Sequence, residues 1–171
     1  MKHQAGVTLI ELLICVALLA IVLNLSVSGF SYLRESQTQQ VTRENLSSSL
    51  SSARQAAVTH RLPVYMCPSS DGSACSATKS DWINGWIIFV DVNDNKSFDA
   101  DTDTKLLAHK NKASKTAKVI TDMSIVSFKP NGIVSNAEFQ VCSTSISSEN
   151  QKISIGPLGL VKKESSSASC S

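Results

Sequence analysis

The sequence predicts an α+β fold: a long N-terminal α-helix, transmembrane in its first half, packed by its second half against a small antiparallel β-sheet domain stapled by disulfides. Three observations carry this reading. Residues 7–27 are interrupted only by Glu11, Asn24 and two hydroxyl residues. At ~1.5 Å per residue they make a helix of about 30 Å, the thickness of a bilayer core. A polar but still periodic stretch follows, free of proline until Pro63. Beyond it come seven or so short, β-branched or alternating runs separated by turn residues, the order of an α+β chain.

Length and composition narrow the function. The 171 residues give one modest domain plus the N-terminal helix. Sixteen Lys and Arg against fourteen Asp and Glu leave a net charge of +2, so no global field selects nucleic acid or acidic substrates. Aromatic residues are only 5% of the chain, so the domain gains from covalent staples. The three histidines make no triad with a serine or cysteine, and glycine-rich phosphate loops are absent. No enzyme activity and no cofactor are expected.

The N-terminal segment holds one carboxylate, Glu11, at the head of its apolar run. A charge there costs roughly 2.5–3.5 kcal/mol at the centre of a bilayer and less near its edge. A secretory signal cleaved near Val27-Ser28-Gly29, a lipoprotein signal using Cys15, and a plain anchor each account for the apolar run. None of them accounts for Glu11 together with Gly6 before the run.

The residues Gly6-Val7-Thr8-Leu9-Ile10-Glu11-Leu12-Leu13 resemble the prepilin cleavage and assembly motif of type IV pilins and type II secretion pseudopilins. The resemblance implies that residues 1–6 are a leader removed by a prepilin peptidase, which cuts after Gly6 and methylates Val7. Val7 stands where the family usually has phenylalanine. Residues 7–29 become the transmembrane and assembly helix, and residues 30–171 the globular domain. Glu11 then pairs with the N-terminal amine of a neighbouring subunit. Two opposite charges in an apolar bundle are each costly alone, and separating such a pair is strongly unfavourable.

From Phe30 to about Arg61 the chain still reads as helix, with residues 62–171 β-rich. Leu33, Val41, Leu46, Leu50, Ala53, Ala57 and Val58 fall roughly on one face. Serine and threonine fill much of the rest, so packing rather than propensity must hold this part. Gly29 is the expected bend. His60 and Arg61 at the helix end complement its dipole.

Strands are expected at residues 64–67, 85–90 and 105–109, then at 118–121 and 124–129 around a turn. Pro130-Asn131-Gly132 reads as a further turn. Residues 138–143, 152–155 and 160–163 complete the set. One sheet or two small packed sheets would cover the second half of the helix.

Two stretches narrow the resemblance: Ala53-Arg54-Gln55-Ala56-Ala57-Val58-Thr59-His60-Arg61-Leu62-Pro63-Val64 and Trp82-Ile83-Asn84-Gly85-Trp86-Ile87-Ile88-Phe89-Val90-Asp91. They look like the GspH/FimT/FimU branch of minor pilins and pseudopilins, in which a helix, a proline and a Trp-Gly-Trp strand ending in aspartate follow one another. Trp82 and Trp86 read as core or interface aromatics.

Of the five cysteines, Cys15 lies in the apolar helix. Cys67, Cys75, Cys142 and Cys170 lie in the exported part, where an even count reads as two disulfides of open connectivity. The expected pairs are Cys67 with Cys75, closing a short loop, and Cys142 with Cys170, tying the serine-rich C-terminus to a strand. Their spacing does not suit a metal.

Asp91, Asn93, Asn95 and Asp99 offer oxygens at the alternation a calcium loop uses. Lys96 stands where such a loop has glycine, and Thr102 where it has glutamate. An acidic hairpin loop of Asx-turns is the preferred reading, and no metal is expected.

Lys110 and Lys112 belong to a local basic run that could meet DNA phosphates. FimT-like members of this branch are associated with DNA binding through a C-terminal Gly-Arg-x-Arg motif. Here the stretch is Gly159-Leu160-Val161-Lys162-Lys163: leucine replaces the first arginine, and lysine lacks arginine's bidentate fork.

The resemblance thus implies a minor pilin that initiates or caps a type IV pilus. A DNA-binding minor pilin for natural transformation and a GspH-like pseudopilin of type II secretion are the alternatives. Its partners would be other minor and major pilins, the prepilin peptidase and the inner-membrane assembly platform. It would sit in the bacterial inner membrane by a single span, its domain in the periplasm, and then in the pilus at the cell surface.

Overall fold

The computed structural model describes residues 8–111, 117–143 and 150–166, the side chains of residues 23–32 and 34 excepted. The chain divides into two compact units between Arg34 and Glu35. One helix, α1, spans Leu9–His60. Its start is capped by Thr8: the Glu11 N–H donates to Thr8 Oγ1 at 3.4 Å and the Leu12 N–H to the Thr8 carbonyl at 3.2 Å. Thr8 and Glu11 stand at the spacing of a capping box, in which a side chain satisfies an otherwise free N–H of the first turn.

Gly29 lies within the helix and does not end it; one glycine costs only about 1 kcal/mol relative to alanine. The helix stops instead at Arg61, which takes the left-handed conformation (φ 56°) usual for glycine at that place. Pro63 follows closely, and proline is common just beyond a helix end because it cannot continue the helix.

The buried face of the second half differs from the expected one. Leu46, Leu50, Ala53 and Ala57 are fully buried, and the stripe continues upstream through Thr42 and Gln39. Leu33, Val41 and Val58 are half exposed or more. At 100° per residue these three lie roughly 110–150° from the stripe, so their hydrophobicity does not put them on it.

Among the described residues eight strands follow: β1 Val64–Pro68, β2 Gly85–Val90, β3 Thr104–Lys110, β4 Ala117–Ile120, β5 Val126–Phe128, β6 Ala137–Ser143, β7 Asn150–Ile155 and β8 Val161–Ser166. They form two four-stranded sheets, β3-β2-β1-β5 and β4-β6-β7-β8, antiparallel throughout. The two runs around residues 121–123 are therefore not a hairpin, because β4 and β5 belong to different sheets. Thr121 pins the crossing: its hydroxyl donates to the Glu138 carbonyl at 2.7 Å and accepts the Met123 N–H at 3.2 Å. The pairing of β2 with the edge strand β3 shifts register between Ile88 and Phe89.

The main apolar core joins the α1 stripe to Met66, Ile88, Phe128, Phe139, Val141 and Ile153 from the two sheets, while Tyr65, Cys67, Ile87 and Phe89 form a second, smaller cluster. Its largest members, Trp82 and Trp86, are fully buried. Trp82 sits on a short 3₁₀ helix, Lys79–Ile83, that the sequence reading missed. Each indole N–H has an acceptor: Trp82 donates to the Met123 carbonyl and Trp86 to Ser49 Oγ, both at 2.9 Å. Buried serines on the helix are thus part of the packing, as an indole N–H left without a partner would cost about 1–3 kcal/mol.

Between the tryptophans, Gly85 adopts φ 148°, and a Cβ there would lie 2.1 Å from the His109 carbonyl oxygen. Gly156 has open space around its Cβ position. Gly85→Ala is expected to lower stability by about 3 kcal/mol or more, while Gly156→Ala changes it by less than about 0.5 kcal/mol. Urea unfolding followed by tryptophan fluorescence measures both.

Candidate assembly interface

In the first unit every large apolar side chain from Leu9 to Val22 is more than half exposed. Full burial of one such side chain is worth about 1.5–3 kcal/mol, so ten on one helix demand a cover of lipid or protein. Glu11 is exposed in the first turn, beside the Thr8 cap. Cys15 is an exposed free thiol. Gly6 and Val7 lie outside the described residues. Among the described residues no helix is long and apolar enough to cross a membrane. The fourteen residues 9–22 alone span only ~21 Å.

In the second unit α1 is tied to the second sheet by polar contacts. Arg43 donates to Gln151 Oε1 and Ser143 Oγ to Glu35 Oε2, at 2.5 and 3.1 Å. Glu44 receives Lys163 from β8 and Arg43 from its own helix. Those two cations, Lys163 first, hold its carboxyl below the ordinary carboxylate range. Arg54 reaches the Gly132 carbonyl at 3.1 Å, fixing the turn after β5 to the helix.

Among the described residues the candidate basic side chains are placed separately. Lys163 is engaged by Glu44, and Lys152 by Glu138 at 2.8 Å. Lys162 lines an open groove of ≈ 820 Å³ with Thr121, Glu138, Leu158 and Leu160. Lys110 ends β3, with its stem beside Gly72; Lys112 lies outside the described residues.

Cys67 and Cys75 form a disulfide with Cα atoms 5.6 Å apart, as expected. Cys142 is fully buried on β6 and disulfide-bonded; its expected partner, Cys170, lies outside the described residues. Inside the loop closed by Cys67 and Cys75, Ser69 donates to the Ala74 carbonyl at 2.6 Å. Asp71 accepts the Ser73 hydroxyl and, at 2.8 Å, the Ser73 N–H. These bonds, the hydroxyl first, hold the Asp71 carboxyl at about 2, below its ordinary 3.8.

The acidic loop between β2 and β3 is built from Asx-turns. Asn93 Oδ1 accepts the Asn95 N–H and Asn95 Oδ1 the Ser97 N–H, at 3.2 and 2.8 Å. Asp91 and Asp103 are buried at its two ends. Among the described residues no three His, Cys, Asp or Glu side chains converge as a metal-binding group.

A capped apolar helix continuing into a small two-sheet domain is the architecture of type IV pilin-like proteins. The sequence profile described as Type II transport protein GspH matches residues 42–159, and the Prokaryotic N-terminal methylation motif matches residues 1–23. The chain belongs to the GspH family of pilin-like proteins. Such proteins are structural and not enzymes.

The fold is similar to that of the type IV minor pilin FimU of Pseudomonas aeruginosa. Identity is 19% and the TM-score 0.60, over 80% of this chain and 98% of that one. The minor pseudopilin EpsH of the type 2 secretion system of Vibrio cholerae is also similar. There, identity is 6% and the TM-score 0.53, over 74% of this chain and 95% of that one. No curated protein sequence matches the chain.

Closing a loop with a sequence separation of 8 restricts the unfolded chain. Replacing Cys67 and Cys75 with serine is expected to lower stability by about 2–3 kcal/mol in chemical denaturation. Because the folded carboxyl of Asp71 is depressed, its contribution is complete above its ordinary value and disappears as pH falls from about 4 through about 2. Asp71→Asn is expected to lack that acid-sensitive step, so its melting temperature and that of the parent converge towards the bottom of this window.

Proposed function

We propose that this protein is a minor pilin that helps initiate or cap a type IV pilus. The observation that carries the reading is the helix start: an exposed carboxylate, Glu11, in a capped first turn followed by an apolar run more than half exposed. In a bundle of such helices Glu11 meets the amine of a neighbour, and the two charges neutralise each other where water is scarce. In this reading residues 1–6 are removed by the prepilin peptidase, and Val7 becomes the methylated N-terminus. Before assembly the helix crosses the inner membrane once, with the domain in the periplasm. The assembly platform then passes it into the filament, where its loops meet other minor and major pilins.

Two features favour assembly over DNA capture. Leu160 occupies the place of an arginine in the DNA-binding pattern, and Lys163 is neutralised by Glu44. Electrophoretic titration of the full chain in detergent is expected to show no salt-sensitive retention of DNA. Retention that is lost on Lys162→Ala and Lys163→Ala would favour the DNA-uptake reading.

Mass spectrometry of the membrane-purified protein is expected to give a methylated chain beginning at Val7. A chain beginning near Phe30 would overturn the proposal. Glu11→Val keeps the helix apolar, yet is expected to reduce the protein in sheared pili at least tenfold. Deleting the gene should reduce surface pili and leave type II secretion intact; the reverse outcome would make the protein a GspH-like pseudopilin.

A further inference from the structure

The acidic loop between β2 and β3 poses an electrostatic problem that the assembly role does not address. Asp91 is only 1% exposed, at the first position of the loop. Its Oδ2 accepts the Lys96 N–H at 2.9 Å, which turns the carboxylate inward over the loop. Its Oδ1 is buried with no hydrogen-bond partner, and among the described residues no lysine or arginine ion-pairs with it. A buried carboxyl oxygen without a partner is costly, and a bound cation is one way to satisfy it.

Other oxygens stand around the same turn. Asn93 and Asn95 both direct their side chains at Asp99, donating to its Oδ2. Each of their Oδ1 atoms accepts one backbone N–H and keeps a second lone pair. Lys96, five residues after Asp91, has φ 63°; it takes the left-handed conformation for which calcium loops keep a glycine at the sixth position. Asp103 closes the far end of the loop, accepting the Val92 and Asp99 N–H groups at 3.0 and 2.9 Å.

We propose that this loop binds a calcium ion through Asp91, Asn93, Asn95 and Asp99. Calcium takes amide and backbone carbonyl oxygens alongside carboxylates and accepts irregular geometry. Two carboxylates with two amides are therefore a sufficient start, with no third acidic or histidine ligand. Magnesium, which demands a tight octahedron and sheds water reluctantly, suits such a loop less well. The ion would supply the charge that Asp91 lacks and fasten the end of β2 to the beginning of β3.

The test is thermal unfolding of the full chain in detergent, followed by circular dichroism, in EGTA, magnesium chloride or calcium chloride. Calcium is expected to half-saturate the protein at about 0.1–1 mM, as in extracellular modules, and at tenfold excess to raise its melting temperature by about 3–6 °C. Magnesium is expected to have much less effect. Asp91→Asn is expected to lose the calcium response while melting in EGTA no lower than the parent, since the amide keeps an oxygen for the Lys96 N–H. Asp99→Asn, at a partly exposed position, is expected to lose the response too, and serves if Asp91→Asn does not fold. A folded parent with no shift up to about 10 mM calcium would overturn the proposal. So would a shift that magnesium reproduces in full or that Asp99→Asn retains.

Discussion

The domain depends on seating two indole rings against the small-residue stripe of a helix. Trp82 and Trp86 are the largest fully buried side chains, and each brings one N–H that must be satisfied out of water. Trp86 finds Ser49 on α1; Trp82 finds the Met123 carbonyl where the chain crosses between sheets. Two hydrogen bonds thereby set the helix, the first sheet and the crossover in one arrangement. Ala53 and Ala57 keep the helix surface low where the core meets it. Leu46 and Leu50 supply bulk one and two turns earlier.

The same helix serves two different surroundings. Its second half is marked by a narrow stripe, flanked by serines that either bond the core or face water. Residues 9–22 are apolar on all sides apart from one carboxylate, Glu11, in the opening turn. An amphipathic stripe is what a helix needs when one side is covered by its own domain; an all-round apolar surface is what it needs when the cover comes from elsewhere. The change from one pattern to the other marks where self-sufficient folding gives way to dependence on partners or lipid.

Much of this was legible before any coordinates. The glycine, the glutamate and the apolar run named the class, because a charge in such a run has few other reasons to be there. Alternation and β-branching located the strands, and the short Cys67–Cys75 spacing suited a local staple. The helix face was harder. Val41 and Val58 are apolar yet exposed, while Gln39 and Thr42 are polar yet buried, because geometry rather than residue type chooses the stripe. Assignment of β4 and β5 to separate sheets was hidden for a related reason. Thr121 reads as the last residue of a strand in sequence, and only its bond to Glu138 shows that it stands where the chain crosses between sheets. The inward turn of Asp91 was equally invisible, since a count of acidic residues does not say which one is out of water.

The edge strand β3 has a consequence for life in a crowd. About half of its seven residues turn their N–H and C=O groups outward, where they could template a further strand. Lys105 and Lys110 lie near its two ends, and the register shift opposite Ile88 and Phe89 breaks the regularity that an incoming strand would have to match. Indiscriminate sheet growth between copies is discouraged at the place where it would most readily begin.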